Sequence, residues 1–232
     1  MKLIFLHGSG AYGGVWRYQT EYFTDSDGVN LPGHLQGQIL NSVEEYVDWL
    51  REYVRGKGYR DVVLVGHSLG GAIALMYAIK YPQELKGIVI IGSGARLRVH
   101  PMYLTALEEA IKGGNLQEWY QQMVAGHRLT PEDYQREALE KRKDIGPAVM
   151  LSDFLCCDKF DIMDRVQEIK LPALIICGEL DMMTPVKYAN YLGTKLTNSR
   201  VVIIPQATHL VFAEKPEAVN DAIEDFVKGT SS

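Results

Sequence analysis

Short runs of β-branched and other apolar residues alternate along this chain with segments whose apolar residues recur every three or four positions. The runs predict buried strands, and the spaced pattern predicts amphipathic helices. Their alternation is typical of a parallel sheet that helices cover on both faces. A weak strand is expected near residues 22–26, before the LPGH turn, and the clear strands are expected over residues 3–6, 61–66, 87–92, 173–178 and 200–205.

The helical pattern divides the chain into a core and an insertion. Helices are predicted over residues 42–54 with Ser42 as N-cap, over the strongly apolar 70–81, and over 216–228 before Gly229. Between the third and fourth of the clear strands the strand pattern stops, and helices are predicted over 103–112, 116–125 and 131–143. Such an insertion would lie over the strand ends, where open α/β sheets bind ligands. We therefore expect a core of residues 1–93 and 169–232 with a helical cap over 94–168.

Composition narrows the class of protein. A chain of 232 residues with 47% hydrophobic residues fits one globular domain. The net charge of −5 speaks against nucleic acid as a partner, and no apolar run reaches the ~20 residues that span a bilayer. The opening MKLIFLHGSG is too short for a signal-peptide core, so a cytoplasmic protein without a membrane partner is expected. The cysteines, predicted to be buried reduced thiols, are Cys156, Cys157 and Cys177.

The most specific motif is Gly66-His67-Ser68-Leu69-Gly70, which matches G-x-S-x-G. It follows a predicted strand and precedes an apolar helix, which is the context that a nucleophile turn requires. Glycines on either side of Ser68 would make room for a sharp, strained turn, and the helix N-terminus would bring a partial positive charge to the serine. Ser68 is therefore the candidate nucleophile.

Loops late in the chain supply a base and an orienting acid, without which a serine hydroxyl is a weak nucleophile. His209 follows the last strand and is the candidate base. Asp181 follows the predicted strand over residues 173–178 as the favoured acid, with Glu179 as competitor. The order serine, acid, histidine differs from that of chymotrypsin-like and subtilisin-like proteases. The other histidines, which fit less well, are His7, His34, His67, His100 and His127.

Acyl transfer also requires donors for the developing oxyanion. The backbone amide of Leu69, directly after the candidate nucleophile, is one expected donor. The amide of Ser9 in the loop His7-Gly8-Ser9-Gly10 is the other, because glycines let that backbone approach a substrate closely.

The same loop satisfies the dinucleotide fingerprint G-x-G-x-x-G over residues 8–13. A dinucleotide site would also need a crossover helix and an acid ~20 residues further on. The segment 14–20 is too short for that helix, and Asp25 and Asp27 come early. No Walker loop, HExxH motif or zinc-like spacing is present in the sequence. We therefore expect no cofactor and no metal.

These motifs closely resemble those of the α/β-hydrolase superfamily, specifically its small capped carboxylesterases and lactonases. The resemblance covers nearly the whole chain and rests on FLHGSG, NLPGH, VGHSLGG, CGELDMMTP and PQATHLVFAEKPEAV. It implies an α/β-hydrolase fold with about six strands, the triad Ser68, Asp181 and His209, and oxyanion donors at Ser9 and Leu69. Two departures are visible: an N-terminal hairpin is expected to be absent, and Asn30 replaces the usual aspartate of the turn.

The function expected from the sequence is hydrolysis of carboxylic esters with small to medium apolar acyl groups through an acyl-enzyme. The alternative is a thioesterase or a lactonase that uses the same triad, and a third hypothesis is a non-catalytic ligand receptor. Arg96, Arg98 and His100 could attract an acyl-CoA, although a solvated basic turn is the more ordinary interpretation. The sequence leaves the oligomeric state open. Candidate pocket residues are Trp16, Tyr103, Trp119, Met123, Phe154 and Met182.

Overall fold

The structure is a computed structural model that describes residues 1–125 and 129–230, without the side chains of residues 122–125. The described residues form one sheet of six strands in the order β2-β1-β3-β4-β5-β6, and all neighbouring strands are parallel. The predicted α/β-hydrolase fold with a six-stranded sheet is thereby confirmed. The strands are β1 (Lys2–Leu6), β2 (Ser26–Val29), β3 (Val62–His67), β4 (Leu85–Ile91), β5 (Ala173–Gly178) and β6 (Ser199–Ile204).

Helices occupy most of the chain between the strands. The α-helices are α1 (Arg17–Tyr22), α2 (Val43–Gly56), α3 (Leu69–Lys80), α4 (Pro101–Gly113), α5 (Leu116–Ala125), α6 (Glu132–Ile145), α7 (Pro147–Lys159), α8 (Val186–Lys195), α9 (Val211–Glu214) and α10 (Pro216–Thr230). Short 3-10 turns cover Gly13–Trp16, Pro82–Glu84 and Val166–Glu168. Within the described residues, no helix is long and apolar enough to cross a membrane.

The sheet brings the functional segments to one edge. Leu6 at the end of β1 pairs with Gly66 of β3, and His67 pairs with Ile91 at the end of β4. Ile91 in turn pairs with Ile176 of β5. Because these strands are parallel, the loops that follow them leave from the same edge, and this edge carries the candidate site.

Two apolar layers hold the sheet. On one face α2, α3 and α8 pack against it, and α3 is buried nearly all round because α2 and α7 cover its outer side. On the other face the layer contains Trp16, Phe212 and the buried side of α10. Each fully buried large apolar side chain contributes about 1.5–3 kcal/mol to the free energy of folding. The two layers together therefore fix the positions of the strand ends.

The expected strand near residues 22–26 is misplaced. Tyr22 ends α1, and the strand runs instead over Ser26–Val29. This edge strand has no apolar run by which to recognise it, since only Val29 of its four residues is buried. It is held by backbone pairing with β1, where Leu3 lies opposite Ser26.

The cap consists of α4 to α7 between β4 and β5, so the predicted helical insertion is confirmed; its boundaries at 94 and 168 stay a prediction. A cluster of its own apolar residues, including Leu107, Trp119 and Phe154, joins the cap helices. The sequence analysis missed α7, because apolar residues such as Leu151 and Leu155 also occupy the side opposite its buried face, so the sequence shows no contrast between an apolar and a polar face. The last helix, α10, also extends past the expected stop at Gly229, where the Thr230 hydroxyl bonds to the Phe226 carbonyl at 2.7 Å.

Candidate active site

Ser68 lies in a strained turn between β3 and α3. Its φ of 52° and ψ of −113° place a non-glycine residue in a backbone region that costs about 1–3 kcal/mol. A Cβ at Gly66 would come 2.1 Å from the Gly70 carbonyl oxygen, and one at Gly70 would come 2.2 Å from the Leu6 carbonyl oxygen. The two glycines are therefore required by close backbone contact, and the Ser68 amide secures the turn by donating to the Ile91 carbonyl at 3.0 Å.

Asp181 and His209 form a hydrogen-bonded pair at the same edge. The His209 Nδ1 lies 2.8 Å from the Asp181 Oδ2, and Nδ1 is thus the protonated nitrogen when Asp181 is ionised. The Asp181 Oδ1 accepts from the amides of Met183 at 2.8 Å and Thr184 at 2.9 Å, while the Thr184 hydroxyl donates to Oδ2 at 2.8 Å. Gly92 faces this pair closely, since a Cβ there would lie 3.3 Å from Nδ1.

The electrostatics of the pair favour an ionised aspartate. Burial would raise the pKa of Asp181, but the hydrogen bond and charge of His209 and the Thr184 donors outweigh it, so the pKa lies below its usual value. An ionised Asp181 can fix the tautomer of the imidazole and stabilise its protonated form. Glu179, the competing acid, is exposed and accepts from the Gln206 amide at 3.1 Å, so the geometry favours Asp181.

Ser68 and His209 line the same cavity. Within the described residues the Ser68 hydroxyl makes no hydrogen bond, so the final link from serine to imidazole is open in this structure. Such contacts are often long in enzymes without substrate and tighten in the complex. His67 lies beside the pair, with its Nε2 2.9 Å from the His209 carbonyl oxygen and its ring 4.6 Å from the His209 ring.

The loop after β1 lies against Ser68. A Cβ at Gly8 would come 3.2 Å from the Ser68 Cβ, so the loop backbone borders the nucleophile. Within residues 1–125 and 129–230, the amides of Ser9 and Leu69 donate to no protein acceptor. Asn30, at the position of the usual aspartate, supports the adjoining segment by accepting from the Gly13 amide at 2.7 Å.

A second histidine–aspartate pair, which the sequence analysis did not predict, links the loop after β1 to the cap. Asp153 of α7 is fully buried and accepts from His34 Nε2 at 2.8 Å, from the Tyr46 hydroxyl at 2.9 Å and from the Gly10 amide at 2.8 Å. His34 Nδ1 lies 3.1 Å from the Pro32 carbonyl oxygen, which can only accept. Both ring nitrogens of His34 are therefore engaged by oxygen atoms of the protein.

The cavity has a volume of about 450 Å³, which is within the range of small-molecule sites. Three of the predicted pocket residues, Tyr103, Phe154 and Met182, line it. The prediction is wrong for two others. Trp16 is fully buried against the Phe212 ring at 4.3 Å, and Trp119 is buried in the apolar cluster of the cap. The side chain of Met123 lies outside the described residues, as does His127.

The basic residues at the start of the cap are engaged by protein groups. Arg98 donates to the carbonyls of Leu97 at 2.9 Å and Asp158 at 2.6 Å, and it forms an ion pair with Asp161 at 3.2 Å. Arg96 lies 3.8 Å from the same carboxylate. His100 acts as the N-cap of α4. These contacts favour the structural interpretation of the three residues over recruitment of an acyl-CoA.

The cysteines are free and buried, as predicted. Burial raises the pKa of the Cys156, Cys157 and Cys177 thiols to about 12, which keeps them protonated at neutral pH. In the described part of the chain, no group of three His, Cys, Asp or Glu side chains is arranged to hold a metal ion.

The sequence profile of the alpha/beta hydrolase family matches residues 3–222. That match spans nearly all of the strands and helices described above. The chain belongs to the alpha/beta hydrolase family. The resemblance inferred from its motifs is thereby confirmed.

Several members of the family are similar over nearly the whole length. The pimeloyl-[acyl-carrier protein] methyl ester esterase of Aeromonas hydrophila is 25% identical over 246 residues, covering 97% of this chain and 94% of the relative. The (E)-2-((N-methylformamido)methylene)succinate hydrolase of Acinetobacter baylyi is 24% identical, covering 98% and 90%. The solved structure of a thermophilic esterase has a TM-score of 0.83 and 30% identity, covering 99% and 90%. This alpha/beta hydrolase is accordingly an ester hydrolase of the carboxylesterase type.

Proposed function

We propose that this alpha/beta hydrolase cleaves carboxylic esters of small to medium acyl groups through an acyl-enzyme on Ser68. The observation that carries the proposal is the Asp181–His209 pair, with a 2.8 Å hydrogen bond, in the same cavity as the strained Ser68 turn. A serine next to an oriented imidazole is the arrangement that nucleophilic acyl transfer needs.

In the first half of the reaction, the Ser68 oxygen attacks the ester carbonyl carbon and His209 takes the hydroxyl proton. The negative charge on the carbonyl oxygen is held by the amides of Ser9 and Leu69, which have no protein acceptor in the described structure. His209 then gives its proton to the leaving alcohol oxygen as the carbon–oxygen bond breaks. Ser68 is left acylated and His209 neutral.

In the second half, water attacks the acyl carbon while His209 takes a proton from it. The tetrahedral intermediate uses the same two amides, and the carboxylic acid leaves as His209 returns the proton to Ser68. Asp181 stays ionised throughout and stabilises the imidazolium each time it forms.

The cavity limits the substrate. Its ~450 Å³ suits an acyl chain of a few carbons, and apolar side chains such as Val15, Phe154 and Phe212 make up much of its wall. One relative is named for a methyl ester, so a small alcohol is a reasonable leaving group to test first. The two alternatives from the sequence, thioesterase and lactonase, use the same steps with a different leaving group.

The test combines covalent labelling with a substrate panel. A fluorophosphonate probe is expected to label the wild type and the control Ser199→Ala, but not Ser68→Ala. The Ser199 hydroxyl donates to the Leu196 carbonyl, and Ser199 does not line the cavity. Comparison of kcat/KM for p-nitrophenyl esters, methyl esters, acyl-CoA thioesters and lactones then identifies the leaving group. If the wild type took no label and hydrolysed no ester, the proposal would be wrong and a non-catalytic receptor would be favoured.

A further inference from the structure

Arg142 of α6 lies in the wall of the cavity that Ser68 and His209 also line. It is buried, with only 7% of its surface exposed. Its Nε donates one long hydrogen bond, of 3.4 Å, to the carbonyl oxygen of Gly10 in the loop that carries the Ser9 amide. The guanidinium is therefore next to the loop that borders the nucleophile.

No anion of the described protein balances this guanidinium. Its Nη1 is buried and has no hydrogen-bond partner, and no described carboxylate lies within ion-pair distance of Arg142. Burial, opposed by smaller effects of Tyr134 and Tyr120, lowers the pKa of Arg142, but a guanidinium stays protonated in proteins. The sequence has no Asp or Glu at positions 122–128 or 231–232, whose side chains the structure does not describe.

A neighbouring arginine, Arg17, shows how Arg142 differs. Arg17, on the outside of the same region, is paired with Asp133 at 2.6 Å and Glu137 at 3.4 Å. Glu137, five residues before Arg142 on the same helix, is occupied by Arg17 and by the Tyr12 hydroxyl. The partly buried Arg17 thus has two carboxylates, while the buried Arg142 has none among the described residues.

The rest of the cavity wall favours a negative ligand. Within the described residues no Asp or Glu lines it, whereas Arg142, three histidines and Arg98, which is already paired with Asp161, do. A buried cation without a partner costs several kcal/mol, which an anion placed against it would offset. The planar guanidinium matches a carboxylate with two parallel hydrogen bonds, and such charge-assisted bonds are strong away from water.

We propose that Arg142 binds a carboxylate of the substrate, so that the preferred substrates are esters that also carry an ionised carboxyl group, such as half-esters of dicarboxylic acids. This inference rests on the proposed esterase function and names its substrate class. The carboxylate lies against Arg142 beside the Gly10 carbonyl, and the ester group reaches Ser68. Arg142 acts as a specificity residue, because it discriminates between charged and neutral acyl chains without touching the reacting atoms.

The experiment uses monomethyl succinate, glutarate and adipate, each paired with the methyl monocarboxylate of equal chain length. For the wild type we expect kcat/KM for the best half-ester to exceed that of its neutral partner by about 10- to 150-fold, the value of a buried charged hydrogen bond. Arg142→Gln is expected to remove that preference, because it lowers kcat/KM for the half-ester far more than for its neutral partner. Arg136→Gln, which removes an exposed charge from the same helix, is expected to keep the preference.

Binding separates this inference from the proposed function. Calorimetry on Ser68→Ala is expected to detect the half-esters, with the affinity lost in the Ser68→Ala, Arg142→Gln double variant. Arg142→Met serves as a second variant, since an apolar side chain there removes a buried charge and is expected to keep or raise Tm.

Half-ester binding that depends on Arg142 supports the inference even if no ester is hydrolysed, and in that case only the proposed function fails. Equal kcat/KM for charged and neutral esters in the wild type would overturn it. An equal loss of kcat/KM for the half-ester and for its neutral partner in Arg142→Gln would also overturn it, because Arg142 would then have a purely structural role in holding Gly10.

Discussion

Two histidine–aspartate pairs in this molecule have the same nitrogen–oxygen distance, but they differ in burial and in the contacts of the second ring nitrogen. His209 Nδ1 and Asp181 Oδ2 are 2.8 Å apart, as are His34 Nε2 and Asp153 Oδ2. The His34–Asp153 side chains are completely buried, whereas 14% of the His209 side chain is exposed toward the cavity that it lines. The contact alone therefore does not distinguish a chemical site from a structural one.

The difference lies in what the second ring nitrogen does. Both ring nitrogens of His34 contact protein oxygens, on Asp153 and on the Pro32 carbonyl, so neither is available to a substrate. His209 uses Nδ1, and within the described residues its Nε2 bonds to no protein group. A pair can pass a proton to a substrate only when one nitrogen remains available, and the His209 pair meets this condition.

The largest expected effect comes from breaking the His209 pair. His209→Gln removes the base, and we expect kcat on a p-nitrophenyl ester to fall about 10⁴- to 10⁶-fold, as for other serine triads. Because the side chain lies at the cavity rather than in the core, Tm is expected to change by only a few degrees. Steady-state kinetics and thermal unfolding on the same samples measure both, and an activity loss below about tenfold would exclude His209 as base.

The next effect comes from the acid of that pair. Asp181→Asn is expected to lower kcat by about 10⁴-fold, because the amide favours the wrong imidazole tautomer and cannot stabilise the imidazolium. Glu179→Gln is the matched control, since Glu179 is exposed and its carboxylate accepts from the Gln206 amide, and it is expected to retain kcat. The reverse result from the two variants would assign the acid role to Glu179.

Sequence patterns predicted the first pair and not the second, for a physical reason. Ser68, Asp181 and His209 each follow a readable strand, and the parallel sheet brings the ends of those strands together. Asp153 and His34 are joined by the packing of α7 on the core, which no local periodicity describes. An acid inside the apolar run PAVMLSDFLCC was a usable signal, because a buried carboxylate needs partners.

The pocket was the least predictable part of the site. Aromatic residues gave no indication of whether they face a cavity or a neighbouring ring, so Trp16 and Trp119 were misassigned. The guanidinium of Arg142 was overlooked because charged helix residues are usually exposed. Its position depends on how α6 lies over the loop after β1, and this is a property of the tertiary packing.

Breaking the buried pair is expected to affect stability. Asp153→Asn replaces one of two buried acceptor oxygens, which face His34 and Gly10 on one side and Tyr46 on the other, by an NH2 donor that opposes another donor. We expect the free energy of unfolding to fall by about 3–5 kcal/mol, measured by urea titration. Asp161→Asn, which removes a half-exposed partner of Arg98, is the control and is expected to cost about 1 kcal/mol or less. Equal costs for the two would show that the buried pair contributes no more than a surface pair.

The smallest expected effect is the contribution of Asp181 to stability at acid pH. Burial raises the pKa of Asp181, but the combined effect of His209 and Thr184 lowers it by more than burial raises it, so the folded-state pKa lies below its usual value. A depressed carboxyl pKa adds stability that is complete above the unfolded pKa of about 3.9 and is lost as pH falls through the folded pKa. From about pH 5 down to about pH 2, the free energy of unfolding of the wild type is therefore expected to fall more steeply than that of Asp181→Asn. Urea titrations at successive pH values measure both slopes, and a shallower slope for the wild type would mean that burial outweighs the hydrogen bonds of His209 and Thr184.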